Sequence, residues 1–460
     1  MIKNRFGNRI GKILLAAIVA VAFIVPAVPA SAAEVSSVPT GISFTQKAEG
    51  MAKNYEGVSN VSQFTDADGN YCFAYCEGKT VKVVKTDGES VTGTVNLELQ
   101  KPKFGAVTCD SSGNYYVVSG KANPGSDTSV KTVFITKYSS SGKVIKTIGN
   151  NGRSSLLDYY EKRFNTQEPF YAGTCDVAMN GKYLAVNYAR KMYSGHQSNS
   201  AWIINTSTMK TIHCGKNYNS HSFAQRVIPY KSGFLFASEG DCYPRSFTSE
   251  YMDYKQKKVI REGGLFSFWV RSGALDDFDM VTVNNNFAHM GGIVKLSDSK
   301  AAFVGTSAKS LNSDAKSEKE NVFVQVYYPA KNLSKSTSYV TKGKRSGKGG
   351  ANGDESVTDY GVKWLTSSTG TYTYSNPQVV SNGKDRIVVL FERYQGSSFN
   401  GVYYMILDGS GNVLTGETLY SRTAKLNSCE MPVYKSGTVY WTGNSTQGDE
   451  KLYIYKLKIN

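Results

Sequence analysis

Residues 104–148 read FGAVTCDSSGNYYVVSGKANPGSDTSVKTVFITKYSSSGKVIKTI, and the pattern in this stretch returns loosely along the chain. An apolar run enters a polar turn, Asp110-Ser111-Ser112-Gly113-Asn114. A strand over 115–119, a loop and an alternating strand over 132–138 follow. A second turn at 139–142 leads into a last strand over 143–148. Gly, Asn, Asp and Ser punctuate the runs because they accept turn conformations that strand residues resist. The unit is a four-stranded antiparallel meander. A meander repeated along a chain is the signature of a β-propeller, in which each unit forms one blade around an axis.

The polar turn after each first strand serves as a marker. It recurs at 66–70, 110–114, 180–182, 231–233, 297–300, 382–385 and 435–437, each time followed by a strand. The expected fold is therefore all-β, a single propeller of seven blades of four-stranded antiparallel sheet. Six or eight blades also fit the uneven spacing, since the fourth unit blurs after Asp241. A pair of β-sandwiches or a β-helix is the other architecture, and turns do not recur at the short period a β-helix needs. The 44 Gly, 31 Tyr and 21 Phe, with only 20% charged residues, suit strands and turns. The long gaps at 149–170, 245–287, 307–320 and 331–375 read as insertions, and loops of this length are usually functional or disordered. Residues 154–163 are the best helix candidate, a turn or two inside a loop. The chain ends in a strong strand over 452–459, so the ring needs closing. Residues 42–57 are expected to supply the missing strand of the last blade. The domain reading is thus 33–60 as a closing segment and 61–460 as the propeller.

Residues 1–32 read as a secretory signal peptide. Lys3, Arg5, Arg9 and Lys12 form a basic head, residues 13–25 are an unbroken apolar run, and Ala30-Ser31-Ala32 is a small-x-small cleavage site. The run is short for a membrane span. No second apolar stretch of spanning length follows, so the mature chain is expected to lack a transmembrane segment and to be secreted or extracellular, with cell-surface association as one outcome. The net charge of +16 includes four positive charges in the leader, leaving +12 for residues 33–460. That excess suits anionic surfaces, such as an anionic cell-envelope polymer or acidic polysaccharide. Nucleic acid is not expected as a partner, because the basic residues are dispersed and no recognition module is visible. The densest basic patch, 331–348, reads as a solvated loop.

Seven cysteines are dispersed. Cys72 and Cys76 sit on one strand, four residues and roughly 13 Å apart, beyond the reach of a disulfide. Cys109, Cys175 and Cys429 fall in first strands, where a small buried residue suits the crowded axis. No zinc spacing, nucleophile elbow or phosphate loop is present, so no metal and no cofactor is expected. Asp66-Ala67-Asp68-Gly69-Asn70 lacks the downstream acid of an EF-hand and reads as a hairpin turn. Trp202, Trp269, Trp364 and Trp441 read as blade-packing residues.

The unit over 106–148 resembles the secreted bacterial β-propeller repeat, roughly D-x-x-G-N-x-Y-V-x-G, a gap, then a strand entering K-x-x-x-x-G. Here Asp110, Gly113, Asn114, Tyr116, Val117, Lys137 and Gly142 carry the match. Ser119 stands where the repeat has its last Gly. Asp408-Gly409-Ser410-Gly411-Asn412 echoes the turn in the sixth unit. The resemblance implies a propeller and an exported protein. It brings no catalytic residues, because such repeats serve many functions.

In a propeller the first strand of each blade lines the axis, so candidate site residues are sought there. The fourth unit, HSFAQRVIPYKSGFLFASEGDCYPRSF, is the most unusual. It offers His221, Gln225 and Arg226 in its first strand and Asp241, Tyr243 and Arg245 after its second. His289 comes from the fifth unit, where Gly291-Gly292 permits close backbone approach, and Asn376 from the sixth. These eight are the candidate ligand-binding residues, and His221, Tyr243 and His289 are the candidates for catalysis. Three functions fit. A binding protein for carbohydrate or a cell-envelope polymer would use these groups for hydroxyls and carboxylates. A polysaccharide lyase or glycoside-cleaving enzyme acting on an acidic polysaccharide would use Arg226 or Arg245 to neutralise a uronate and His221, His289 or Tyr243 as base. A protein-interaction scaffold would use the disc face. The competing structural account makes Arg226, Asp241 and Arg245 an inter-blade ion-pair network.

Overall fold

A computed structural model describes residues 34–44, 48–49, 58–59, 61–153, 162–215, 221–240, 246–253, 258–267, 269–270, 283–284, 288–307, 319–332, 362–368 and 370–459. The expected leader, 1–32, lies outside the described residues.

Seven four-stranded antiparallel blades form a β-propeller. Blade 1 runs Val61–Thr65, Tyr71–Glu77, Thr80–Thr86 and Val91–Glu98, from the axis outward. Blade 2 runs Lys103–Cys109, Tyr115–Gly120, Val133–Tyr138 and Val144–Asn150. Blade 3 has Cys175–Asn180, Tyr183–Met192, Gln197–Asn205 and Lys210–Cys214. An extra strand, Thr166–Pro169, pairs with the end of Tyr183–Met192. Blade 4 has Ala224–Tyr230, Gly233–Gly240, Ser246–Asp253 and Lys258–Ser267, so the unit that blurs in the sequence is complete. Blade 5 has His289–Lys295, Ala301–Ser307, Asn321–Tyr327 and Val362–Trp364, and blade 6 Tyr372–Ser381, Arg386–Gln395, Ser398–Asp408 and Val413–Ser421.

Blade 7 is built from both ends of the described chain. Val433–Lys435, Thr438–Gly443 and Lys451–Lys458 receive Glu34–Ser43 as their outermost strand, with Ser37 opposite Tyr455. The closing strand therefore lies upstream of the expected segment 42–57 and shares only Ile42 and Ser43 with it. Val38 packs from this strand against the cluster that holds Val61, Tyr71 and Ile454, which ties it to the core between blades 7 and 1. Ile42 and Phe44, from the start of the expected segment, pack against the same cluster.

Strand burial follows position in the disc. Tyr115–Gly120 is buried on both faces because a blade packs on either side, whereas Val144–Asn150 at the rim is largely exposed. Second strands accordingly read as continuous apolar runs and outer strands as polar ones. The turn marker has a physical basis. Asp110 Oδ1 accepts the N–H groups of Ser112 and Asn114, both at 2.9 Å, while Gly113 takes φ +77°. Asp66 and Asp408 repeat the arrangement with Gly69 and Gly411 at φ +74° and +78°. Each Asp–x–x–Gly–Asn is a side-chain-capped hairpin turn whose fourth position favours glycine. The Asp66 carboxylate is thus engaged with its own backbone.

Cores form between blades. Phe247 of blade 4 meets Phe303 of blade 5 with ring centroids 4.9 Å apart, and Phe323 completes the cluster. Trp202 and Trp441 are wholly buried, and Trp364 packs edge-on against Phe323. The side chain of Trp269 lies outside the description. Cys72, Cys76, Cys109, Cys175, Cys214 and Cys429 are free thiols, and Cys242 lies outside the described residues. Cys72 and Cys76 share the strand Tyr71–Glu77, whereas Cys429 precedes its strand instead of lying in it. Of the expected helix at 154–163, only a 3-10 turn over Lys162–Phe164 falls within the described residues. Among the described residues no helix is long and apolar enough to cross a membrane.

Candidate functional site

An inner strand at the axis has one edge without a strand partner, so its N–H groups need other acceptors. Side chains of neighbouring blades supply them. Ser62 Oγ accepts from Val107 N at 3.3 Å, Asp176 Oδ2 from Val227 N at 2.8 Å and Glu239 Oε2 from Met290 N at 3.0 Å. Glu392 Oε1 accepts from Leu426 N, and Glu430 Oε2 from Gln63 N, both at 3.1 Å. Gln225 belongs to the same system. It is wholly buried, its Oε1 accepts from Thr174 N at 2.8 Å, and its Nε2 donates to Ser222 Oγ at 2.7 Å. Its amide is committed to joining blades 3 and 4. Asn376 has φ +48° at a register shift and donates to Leu426 O at 3.4 Å, joining blade 6 to the approach to blade 7.

Arg226 crosses the axis. From blade 4 its Nη2 donates to Ser428 O at 3.1 Å and its Nε to Met431 Sδ at 3.4 Å, on the approach to blade 7. A Cβ on Gly292 of blade 5 would stand 2.3 Å from Met431 Sδ, and one on Gly291 would stand 2.6 Å from Pro377 O of blade 6. These two glycines let blade 5 close on the centre. Met431 and Arg226 therefore fill the axis at this level. The charge of Arg226 is felt by two carboxyls, Asp176 of blade 3 and Glu430 before blade 7. Asp176 and Glu430 are two acids near Arg226 that the sequence reading missed, and Asp241 and Arg245, expected in its network, lie outside the described residues.

Burial pushes Asp176 up to about 6, although Arg226 and two backbone N–H groups pull it back. Burial and the Asp176 charge raise Glu430 well above the usual carboxylate range. A pKa raised by folding means the folded state keeps a proton that the unfolded chain releases near pH 4. Stability then falls as pH rises from about 4 to about 6 and is level above that for the Asp176 contribution. At 1.36 kcal/mol per unit the loss is about 3 kcal/mol. Asp176→Asn is expected to remove this slope, so that the variant gains on the parent between pH 4 and 6. Urea unfolding across that range checks it, and parallel stability profiles would refute the assignment.

Inner strands begin on the same face of the disc as the turns between second and third strands, because the two elements pair there. This upper face carries His221 and His289. His221 lies in the turn before Ala224–Tyr230, not in the strand, with φ +44°. Its ring lies 4.4 Å from that of His196, from the neighbouring turn of blade 3. Asp241, Tyr243 and Arg245 lie outside the described residues. His289 opens the inner strand of blade 5, and its Nε2 stands 3.9 Å from Glu320 Oε1, just before Asn321–Tyr327. A quarter of the His289 side chain is accessible, whereas Glu320 is nine-tenths buried behind it. Burial draws His289 down to about 4 and pushes Glu320 up to about 8. Near pH 7 the pair is thus an uncharged imidazole beside a carboxylic acid. Glu320 Oε2 has no hydrogen-bond partner among the described residues. In the sequence Glu320 ends the run Ser317-Glu318-Lys319-Glu320, which has the look of a solvated loop. Only the fold sets it against His289.

No family model matches the chain, and no curated protein matches it. Among solved structures, the chain is similar to the Dos1 propeller at 9% identity and TM-score 0.42, over 86% of this chain and 77% of that one. It is similar to the β-propeller domain of the Trilobed protease from Pyrococcus furiosus at 11% identity and TM-score 0.38, over 78% and 84% of the two chains. An ACO/RPE65 chimera aligns at 8% identity and TM-score 0.38, over 82% and 72%.

Proposed function

We propose that this propeller is an exported bacterial binding protein that holds a carbohydrate-type ligand of the cell envelope or its surroundings on its upper face. The observation that carries the reading is the placement of the partly accessible His289 imidazole 3.9 Å from the Glu320 carboxyl, an acceptor beside a donor whose charges burial suppresses. Hydroxyl-rich ligands are bound through such neutral donor–acceptor sets in concave, partly desolvated sites. Export rests on the leader-like sequence of residues 1–32, and the excess of +12 beyond it favours approach to anionic envelopes. The lyase reading asks for a cation at the uronate carboxylate. Arg226 is 2% exposed and spent across the axis, which leaves that role to Arg245, outside the described residues.

The test is retention of residues 33–460 on a panel of neutral and acidic polysaccharides, with products followed by mass spectrometry and uronate absorbance. Binding of one polymer without cleavage is expected. His289→Ala should weaken that retention at least tenfold, and Glu320→Gln, which keeps shape and a donor, should weaken it less. Retention indifferent to His289→Ala would remove the site from the reading, and unsaturated products would replace binding by lyase chemistry.

A further inference from the structure

A groove of about 290 Å³ opens where the ring closes. Ser36 and Ser37 of the closing strand form one wall, Tyr453 and Tyr455 of Lys451–Lys458 the floor, and Tyr420 and Thr423 at the end of blade 6 the other wall. Ser445 and Gln447 complete the rim from the turn of blade 7. Every lining residue is uncharged, and most carry a hydroxyl or an amide.

The aromatic part is held rigidly. Tyr420 Oη donates to Ser36 O at 2.7 Å, and Tyr455 Oη donates to Asn444 O at 2.9 Å. Trp441 lies beneath both rings, with centroids 4.8 Å from Tyr420 and 5.5 Å from Tyr455. Tyr453 continues the stack, 6.0 Å from Tyr455, and keeps part of its surface open. Tyr420 and Tyr455 are buried, so Tyr453, anchored by its hydroxyl on Asp449, presents the open ring. One aromatic face bordered by neutral hydroxyls and an amide matches a sugar ring, whose C–H face packs on the aromatic while its hydroxyls exchange hydrogen bonds at the edge. Pockets for small ligands run from roughly 300 to 1,000 Å³, so this volume suits about one ring. A carboxylated sugar would find no cationic partner among the lining residues.

We infer that this seam groove is a second binding site, for one residue of a neutral saccharide, distinct from the upper-face pair at His289. It rests on the proposed function only for the general class of ligand. Because one wall is the closing strand, an occupied groove bridges Glu34–Ser43 to blade 6 and holds the ring shut. Binding to the closed form alone stabilises it by mass action.

The experiment titrates residues 33–460 with neutral gluco-, manno- and N-acetylglucosamine hexasaccharides and with hexagalacturonate, reading amide hydrogen exchange over residues 34–43. One neutral hexasaccharide is expected to slow exchange in that strand at least tenfold, and hexagalacturonate to leave it unchanged. Tyr453→Ala and, on exposed positions that spare the fold, Ser37→Lys and Gln447→Ala should weaken the effect at least tenfold. His289→Ala should leave it intact. No protection of residues 34–43 by any neutral sugar, or protection indifferent to Ser37→Lys and Gln447→Ala, would overturn the site. A sugar that binds but is lost only with His289→Ala would overturn the seam site and leave the upper-face reading standing.

Discussion

Replacing Arg226 by alanine is expected to cost about 3–5 kcal/mol of folding stability, the range for removing one partner of a buried charge network. The guanidinium holds Ser428 O from across the axis and is the cation sensed by both Asp176 and Glu430. Without it the two carboxyls lose the cation they share, and Asp176 should rise further above about 6. Urea unfolding at pH 7 measures the loss. Retention on the polysaccharide that binds the parent, measured below the transition, should be unchanged. The triple variant Arg226→Met, Asp176→Asn, Glu430→Gln should recover most of the stability, since uncharged groups of similar size avoid the desolvation cost. A small stability loss with abolished binding would move Arg226 from the frame to the site.

Deleting residues 34–43 should cost about 5 kcal/mol or more. The strand is mostly exposed, so little of the loss is core. What disappears is a ladder opposite Lys451–Lys458, registered from Glu34 with Lys458 to Pro39 with Tyr453. Net backbone hydrogen bonds are worth about 0.5–1.5 kcal/mol each, and Val38 and the Tyr420 contact add to them. The bared edge invites pairing with a second molecule. The truncated protein is therefore expected to melt lower and to self-associate, and a peptide of residues 34–43 should reverse both in calorimetry and sedimentation. An unchanged melting temperature would mean that the ring does not depend on this strand.

The fold was legible because its information is local. Asp–x–x–Gly–Asn turns encode their own geometry, and alternating runs mark the strands between them. The site and the axial network were less legible because their groups meet only through the fold, His289 with Glu320 within one blade and Arg226 with Ser428 across the axis. A small residue, cysteine and an acid recur as Thr108-Cys109-Asp110, Thr174-Cys175-Asp176 and Ser428-Cys429-Glu430. The triplet was readable, but its meaning was not. Cys109 ends its inner strand, so Asp110 caps a turn, whereas Cys175 begins one and delivers Asp176 to the centre. Strand register, which a tripeptide does not carry, decides between the two. Gln225 illustrates the converse. It looked like a ligand contact from its position, and its amide is taken up by Thr174 and Ser222.

The two-ended blade also orders events in time. The strand that leaves the ribosome first in the propeller is the last to find its place, since Thr40 waits for Leu452, 412 positions later. Bringing such distant segments together costs an entropy of about 5 kcal/mol by the logarithmic law for flexible loops, and most of it is met only after the intervening blades have condensed. Contacts of such long separation slow folding. Were the proposed leader removed after Ala32, the new terminus, Ala33, would immediately precede Glu34. Until that cut, the last strand to dock would still be tethered to whatever membrane or channel holds the leader, so release from the export machinery and completion of the ring become successive steps of one process.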